Sequence, residues 1–414
     1  MPSSGIMRTL FCVPIMTLIA ALSILLVFGH VLGRLSERLG QPALLGHMVA
    51  GVVVGPSVLN WIHGTPQLAA IADIAVLFVV VTAGLEMRLQ HVLDAFRGRG
   101  AFALLLGFMI PALAAASLAY SFDLKLIPSI VVTLCVSVTA LPVALRILDG
   151  FGLLDTRVAR VAISGALLSD LIVLLVLGVA IAMSQPSDQP DLWPIVGASI
   201  AKLGVLLAIV GACHWICLRL SKRNSNTASP LRQPSVDTVL ILTLVFMFAL
   251  GAVAELLGFH FAIGVFLASL MVTKDLISDA RFQSLEKTCE LITVSLFGPI
   301  FLAYQGVQFE LATLTNLTLV LGVVAVAVAS KLVGGYAAAR LAHVPPFESV
   351  GIAIVMNARG VMEMVVASIA YRAGLIDREI FSALIVMGIA TTVLTPIMLK
   401  RWMANPKFAT IVRD

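Results

Sequence analysis

An all-α polytopic membrane protein is the fold class that this 414-residue sequence predicts, on three observations. Apolar residues make up 60% of the chain and charged residues only 12%, against roughly 45–50% and 25% in soluble domains, and the mean hydropathy is +1.06. Strongly apolar windows recur from end to end, each about 20 residues long, the length of helix that crosses roughly 30 Å of hydrocarbon. Basic residues gather in alternate connections between those windows, the asymmetry that sets orientation in a bilayer. No stretch remains for a soluble regulatory domain.

The windows predict about thirteen spans, at 10–33, 43–62, 69–87, 100–120, 126–147, 158–183, 193–218, 236–256, 259–273, 288–306, 312–340, 348–371 and 379–400. The first is too long for a removable signal peptide and has no small-residue cleavage site, so it counts as an extra N-terminal helix. Odd-numbered connections carry Arg34 and Arg38; Arg88, Arg97 and Arg99; Arg146, Arg157 and Arg160; Arg219, Lys222, Arg223 and Arg232; Lys274, Arg281 and Lys287; and Arg340. The tail adds Lys400, Arg401, Lys407 and Arg413, whereas the opposite side has only Arg8, Lys125, Arg372 and Arg378. Since basic residues are retained on the cytoplasmic side, the N-terminus is expected outside and the C-terminus inside. The net charge of +5 is thereby a matter of topology and implies no nucleic-acid partner.

The longest polar break, Leu220 to Ser235, separates two expected six-helix halves, 43–218 and 236–400. HMVAGVVVG at His47 to Gly55 and HFAIGVFLA at His260 to Ala268 match in pattern, sharing the histidine, Gly51 against Gly264, and Val52 against Val265. Such internal repeats are a common way of building transporters. The cysteines (Cys12, Cys135, Cys213, Cys217 and Cys289) are scattered, without the spacing of a disulfide framework. Cys213, His214 and Cys217 have no second cluster to complete four-coordination, so no metal centre is expected there.

The polar residues inside the spans carry the functional signal. Asp170, preceded by Ser169, lies within the apolar stretch SGALLSDLIVLLVL from Ser164 to Leu177. An acid near the middle of a membrane helix costs roughly 2.5–3.5 kcal/mol on insertion scales, so it faces a protein interior or a water-filled cavity. It is read as an ion or proton site, with a structural hydrogen bond between helices as the alternative. Two spans are interrupted. SVTALPVALRIL, Ser137 to Leu148, places Ser137 and Thr139 ahead of Pro142, whose missing N–H and ring clash break the helix about a turn earlier. VMNARGVMEMVV, Val355 to Val366, packs Asn357, Arg359, Gly360 and Glu363 into one apolar segment. Broken helices place free backbone groups and dipole ends at mid-membrane depth, where ions bind. Arg359 and Glu363 are four residues apart, on one helix face, and are expected to pair with each other; the alternative is a gating role. Lys331 lies more than two turns from Arg340, too deep to snorkel, and calls for a partner acid. The small residues after it would let another helix approach closely.

At these residues the chain resembles the monovalent cation/proton antiporter superfamily, in the branch of bacterial sodium/proton antiporters and potassium-efflux antiporters. The matching stretches are RLGQPALLGHMVAGVVVGPSVL from Arg38, LFVVVTAGLEMRL from Leu77, TALPVALRILDGFGLL from Thr139, ISGALLSDLIVLL from Ile163, FGPIFLAYQGVQFEL from Phe297, SKLVGGYAAARL from Ser330 and MNARGVMEMVVASIAYRAGLI from Met356. They fall in the family's order and cover essentially the whole chain. The resemblance implies a sodium/proton-antiporter-like fold, with a dimerisation domain and a core in which the fifth and twelfth spans are unwound and cross near the essential acid. It implies that Asp170 binds the monovalent cation and the proton, with Thr139 and Ser169 beside it and Lys331 as the buried lysine. It also implies exchange of Na+ or K+ for H+ without a cofactor, by a homodimer in a bacterial inner membrane.

Two departures qualify that picture. Ser169 stands where electrogenic relatives carry a first acid paired with the lysine, which leaves Asp170 and Glu363 as candidate partners of Lys331 and makes electroneutral exchange the expectation. The chain also ends soon after Lys400, so the nucleotide-sensing tail of some potassium-efflux relatives is not expected. A gated cation channel, or a proton-coupled exporter of an organic solute, would use the same polar groups. Enzymatic chemistry is not expected, because an intramembrane aspartyl protease needs two cooperating deep aspartates.

Overall fold

The computed structural model describes residues 18–86, 98–140, 143–144, 147–148, 151–153, 156–184, 192–225, 236–273, 277, 279–406 and 408, and every regular element among them is a helix. In chain order these are α1 (Leu18–Arg38), α2 (Ala43–Val54), α3 (Pro66–Glu86), α4 (Gly98–Ser121), α5 (Leu126–Ser137), α6 (Arg157–Ser184), α7 (Leu192–Ser225), α8 (Val236–Leu256), α9 (Phe261–Met271) and α10 (Asp279–Ile292). A π-helical turn, Thr293–Phe297, then leads directly into α11 (Gly298–Gln308), and a 3-10 turn, Leu311–Thr313, precedes α12 (Leu317–Leu341). The chain closes with α13 (Pro346–Met356), α14 (Val361–Arg372) and α15 (Arg378–Met403). Among the described residues nine helices are long and apolar enough to cross a membrane, taking α10 with α11 and α13 with α14 as single spans, and four shorter apolar helices accompany them. Each apolar window of the sequence overlaps one of these helices. The start of the first window, Pro142 and residues 226–235 of the polar break lie outside the described residues.

The helices pack as two bodies that cut across the two sequence halves. One body assembles α4, α5 and α6 with α12 to α15; the other assembles α1, α2 and α3 with α8 to α11, and α7 runs mainly along α6. Lipid tails are as apolar as leucine, so what joins helices in a membrane is close van der Waals fit, which favours small residues at contacts. The glycines after Lys331 serve this purpose: a Cβ on Gly334 would lie 3.0 Å from Pro111 of α4, and one on Gly335 2.9 Å from Ala353 of α13. In the second body the matched glycines of the two histidine motifs do the same work. A Cβ on Gly51 would fall 1.8 Å from the Ala303 carbonyl oxygen of α11, and a Cβ on Gly264 2.1 Å from that of Leu250 in α8.

The seam between the bodies is unlike at its two ends. The near end is marked by the α1–α2 turn, where the Lys400 ammonium of α15 packs on Gly40. Here a cavity of about 480 Å³ lies between α1, α2, α3, the π-helical turn and α11 and reaches inward to Val361. At the far end the 55–65 connection meets the 309–316 connection, where the Ser57 hydroxyl donates to the Phe309 carbonyl at 2.8 Å.

Gly51→Val and Gly264→Val are each expected to lower the thermal midpoint of the purified protein by several degrees, since overpacking costs typically about 1–3 kcal/mol. Gly64→Ala, at a site with nothing within 4 Å, serves as the neutral control. Thermal melting in detergent measures all three, and a Gly51→Val protein as stable as the control would contradict the close approach of α2 and α11.

Candidate functional site at the helix crossover

The fifth and twelfth spans are both interrupted, and the interruptions meet. Helix α5 stops at Ser137 with Val138 extended, and α13 stops at Met356. The chain re-enters helix at Val361 after Gly360, whose φ of +145° lies where side chains are strained. In hydrocarbon an unpaired backbone group costs several kcal/mol, so the fate of each freed group can be followed. Val138 N–H donates to Leu134 C=O at 3.0 Å, and Ala140 N–H crosses to Ala358 C=O of the second break at 3.1 Å. Thr139 N–H donates to the Ser169 hydroxyl at 3.1 Å, and the Thr139 hydroxyl donates to Met356 C=O at 3.0 Å. The Arg359 carbonyl accepts from the Thr392 hydroxyl of α15 at 2.9 Å.

The last carbonyls of α5 are taken by cations. The Arg359 guanidinium donates to Cys135 C=O at 2.5 Å, to Val136 C=O, and at 3.4 Å to Ala327 C=O of α12. The Lys331 ammonium donates to Ser137 C=O. Two positive charges at the negative end of a helix dipole are favourably placed, and charge-assisted bonds are about twice as strong as neutral ones.

Asp170 is fully buried on α6, one residue beyond Ser169, whose hydroxyl also donates to Ala166 C=O at 2.8 Å. Lys331, fully buried, lies within electrostatic reach of Asp170 and Arg359. Of the two candidate acids, Asp170 is thus the neighbour of Lys331. The expected i, i+4 pairing of Arg359 with Glu363 is corrected. The helix is interrupted between Met356 and Val361, so Arg359 belongs to the connection and points back at α5, not along α14. Glu363, in the first turn of α14, feels the field of Arg359 and faces the Gly360 N–H at the start of its own helix, with no side-chain hydrogen-bond partner among the described residues. Its Oε1 instead presses toward Gly388. The amide of Asn357 donates to the Thr395 hydroxyl at 3.2 Å, and its Oδ1 has no hydrogen-bond partner among the described residues. Ser137 contributes its carbonyl, while its hydroxyl turns back to Thr133 C=O at 2.6 Å.

Some participants were not singled out by sequence. Thr391, Thr392 and Thr395 line a buried stripe of α15 facing the second break; their one-turn spacing was visible, but hydroxyls are common in membrane helices. The paired hydroxyls of Thr82 and Thr293, 2.7 Å apart beside the cavity, accompany a π-helical turn that leaves no pattern in the residues.

A family model described as "Sodium/hydrogen exchanger, transmembrane" matches residues 21–405. The Na(+)/H(+)-K(+) antiporter GerN of Bacillus cereus is 26% identical over 381 residues, which cover 92% of this chain and 94% of that protein. An Na(+)/H(+) antiporter of Enterococcus hirae is 23% identical over 390 residues, covering 93% and 98%. The solved structure of the sodium proton antiporter MjNhaP1 from Methanocaldococcus jannaschii shares the fold, with a TM-score of 0.67 at 17% identity over 96% of this chain and 99% of that one.

Because the guanidinium grips several carbonyls at once, Arg359→Lys is not conservative here. Both Arg359→Lys and Arg359→Gln are expected to lower thermal stability by about 2–4 kcal/mol, a loss that adding Glu363→Gln does not reverse. Melting of the single and double variants measures this. Full rescue by Glu363→Gln would assign the stability of Arg359 to an ion pair with Glu363.

Proposed function

The chain belongs to the transmembrane sodium/hydrogen exchanger family, and we propose that it exchanges a monovalent cation, Na+ or K+, for H+ across a membrane, with Asp170 as the group for which the two compete. The observation that carries this reading is the buried Asp170–Ser169 pair on α6, set against the point where both interrupted helices meet. A hard cation requires oxygen ligands. The Asp170 carboxylate and the Thr139 and Ser169 hydroxyls offer them at one place. Freed backbone carbonyls were also expected to serve, but those of Cys135, Val136, Ser137 and Met356 already accept hydrogen bonds. Lys331 in effect occupies one carbonyl with an ammonium, and a cation bound at Asp170 would share the carboxylate's field with it.

Exchange without a continuous pore requires the site to face one side at a time. A cavity at the near end of the seam together with polar contacts across its far end supports alternating access over a channel. On the distribution of basic residues the near end is cytoplasmic, the N-terminus outside and the C-terminus inside. We place the protein in a bacterial inner membrane as a homodimer, with the seven-helix body of α4 to α6 and α12 to α15 as the moving core. With Ser169 in place of a second acid beside Asp170, one cation is traded for one proton.

Purified protein in vesicles with an imposed pH gradient, challenged in turn with Na+, K+ and Li+, tests the exchange. Asp170→Asn keeps the shape of the group and removes its titration, so it is expected to abolish cation-driven proton movement in a protein that still folds and inserts; retained exchange would remove Asp170 from the mechanism. Thr139→Ala removes one neutral ligand, worth about 1 kcal/mol, and is expected to weaken apparent cation affinity roughly fivefold. Gradient dissipation by an organic solute but by none of the three cations would make the cargo something else.

The stoichiometry is read from the reversal point of exchange with the membrane potential clamped at different values. Independence of potential is the expected outcome, and a shift would mean that a second proton travels, with Lys331 as its carrier.

A further inference from the structure

The far end of the seam is fastened by polar groups, and two contacts among them join helices of different bodies. Gln305 of α11 donates to the Ser368 hydroxyl of α14 at 3.1 Å, the hydroxyls of Thr313 and Ser382 are 3.2 Å apart, and Arg378 donates to Glu310 at 2.5 Å. The last two lie in or beside the 309–316 connection, which leads from one body into the other and follows either of them, whereas the Gln305–Ser368 bond crosses from α11 to α14. The ion pair between Asp73 and Arg372 also crosses, and it is the charged one of the two. Asp73 lies in α3 of one body and Arg372 ends α14 of the other, so the pair must part if the far end opens. It is also more than a surface contact. Arg372 is 21% exposed and its second terminal nitrogen is buried without a hydrogen-bond partner among the described residues. Tyr304 of α11 and His260 at the start of α9 lie within its field, so three other helices or their caps, α3, α9 and α11, converge on it.

We propose that Asp73 and Arg372 form a latch that holds the far end of the seam closed and sets the balance between the two orientations of the protein. The proposal rests on the alternating-access reading above. A contact present in one orientation and absent in the other shifts their populations by its own strength, and a pair of this exposure changes an equilibrium by a small factor, not by orders of magnitude.

The test reads the seam directly. Ser368, buried beside Gln305 at the far end, is replaced by cysteine in a chain whose five native cysteines have been removed. The rate of labelling by a membrane-impermeant maleimide from the far side is then measured in vesicles without any ion gradient. Asp73→Asn and Arg372→Gln are each expected to raise that rate about 2- to 5-fold, and the exchanged pair Asp73→Arg with Arg372→Asp to bring it back toward the parent. Ser349→Cys, buried at the start of α13 near the opposite end, is expected not to change. An unchanged rate in both single variants would overturn the latch. So would an equal rise at position 349, which means general loosening, or a rate left high by the exchanged pair. Failure of cation-driven proton movement in the parent protein would sink the exchange reading and leave the labelling result standing.

Discussion

Everything distinctive in this structure follows from the need to satisfy backbone hydrogen bonds where no water can reach. Interrupting one buried helix would strand several donors and acceptors, each at a cost of several kcal/mol. Interrupting two at the same place lets them serve each other, and the Ala140–Ala358 bond and the Thr139 hydroxyl on Met356 do this directly. What the two breaks cannot supply comes from Arg359, Lys331, Ser169 and Thr392. The polar residues of the crossover are therefore in the first place its structural completion. The exchange proposed at Asp170 would draw on that completion, which leaves a fully buried carboxylate one residue from Ser169 and within the field of Lys331.

Much of this was legible in the sequence. Apolar windows of spanning length overlap each apolar helix among the described residues, because in a bilayer length and hydropathy are nearly sufficient. Thr139 ahead of Pro142, and Asn357, Arg359 and Gly360 in one apolar run, marked both interruptions, since such groups cannot sit in an unbroken lipid-facing helix. The error over Arg359 and Glu363 shows the limit. Spacing predicts a shared face only where the helix is continuous, and the same residues that signalled the break invalidated the rule applied across it. The π-helical turn and the Asp73–Arg372 contact had no signature, one because it concerns backbone register and the other because its partners lie 299 positions apart.

The two bodies were also hidden, although a clue lay in the histidine motifs. Gly51 and Gly264 were matched by sequence pattern alone, and each proves to be the point at which its helix touches a neighbour's backbone. The histidines have parted company: His47 lines the cavity at the near end, and His260 caps α9 close to the far-end ion pair. A shared ancestry of the two motifs would thus have kept the glycine's packing role while placing the histidines at opposite mouths of one seam.

The grip of Arg359 on Cys135, Val136 and Ala327 involves only their carbonyls, which every amino acid possesses. It is blind to the identity of the side chains it depends on. As far as this grip goes, those three positions are free to drift among residues of similar bulk; the thiol of Cys135 makes a separate contact, donating to Glu363 C=O at 3.9 Å. A search for this architecture in distant sequences should therefore weigh the single arginine and ignore its contacts, because the information about where it binds is written in the shape of the main chain.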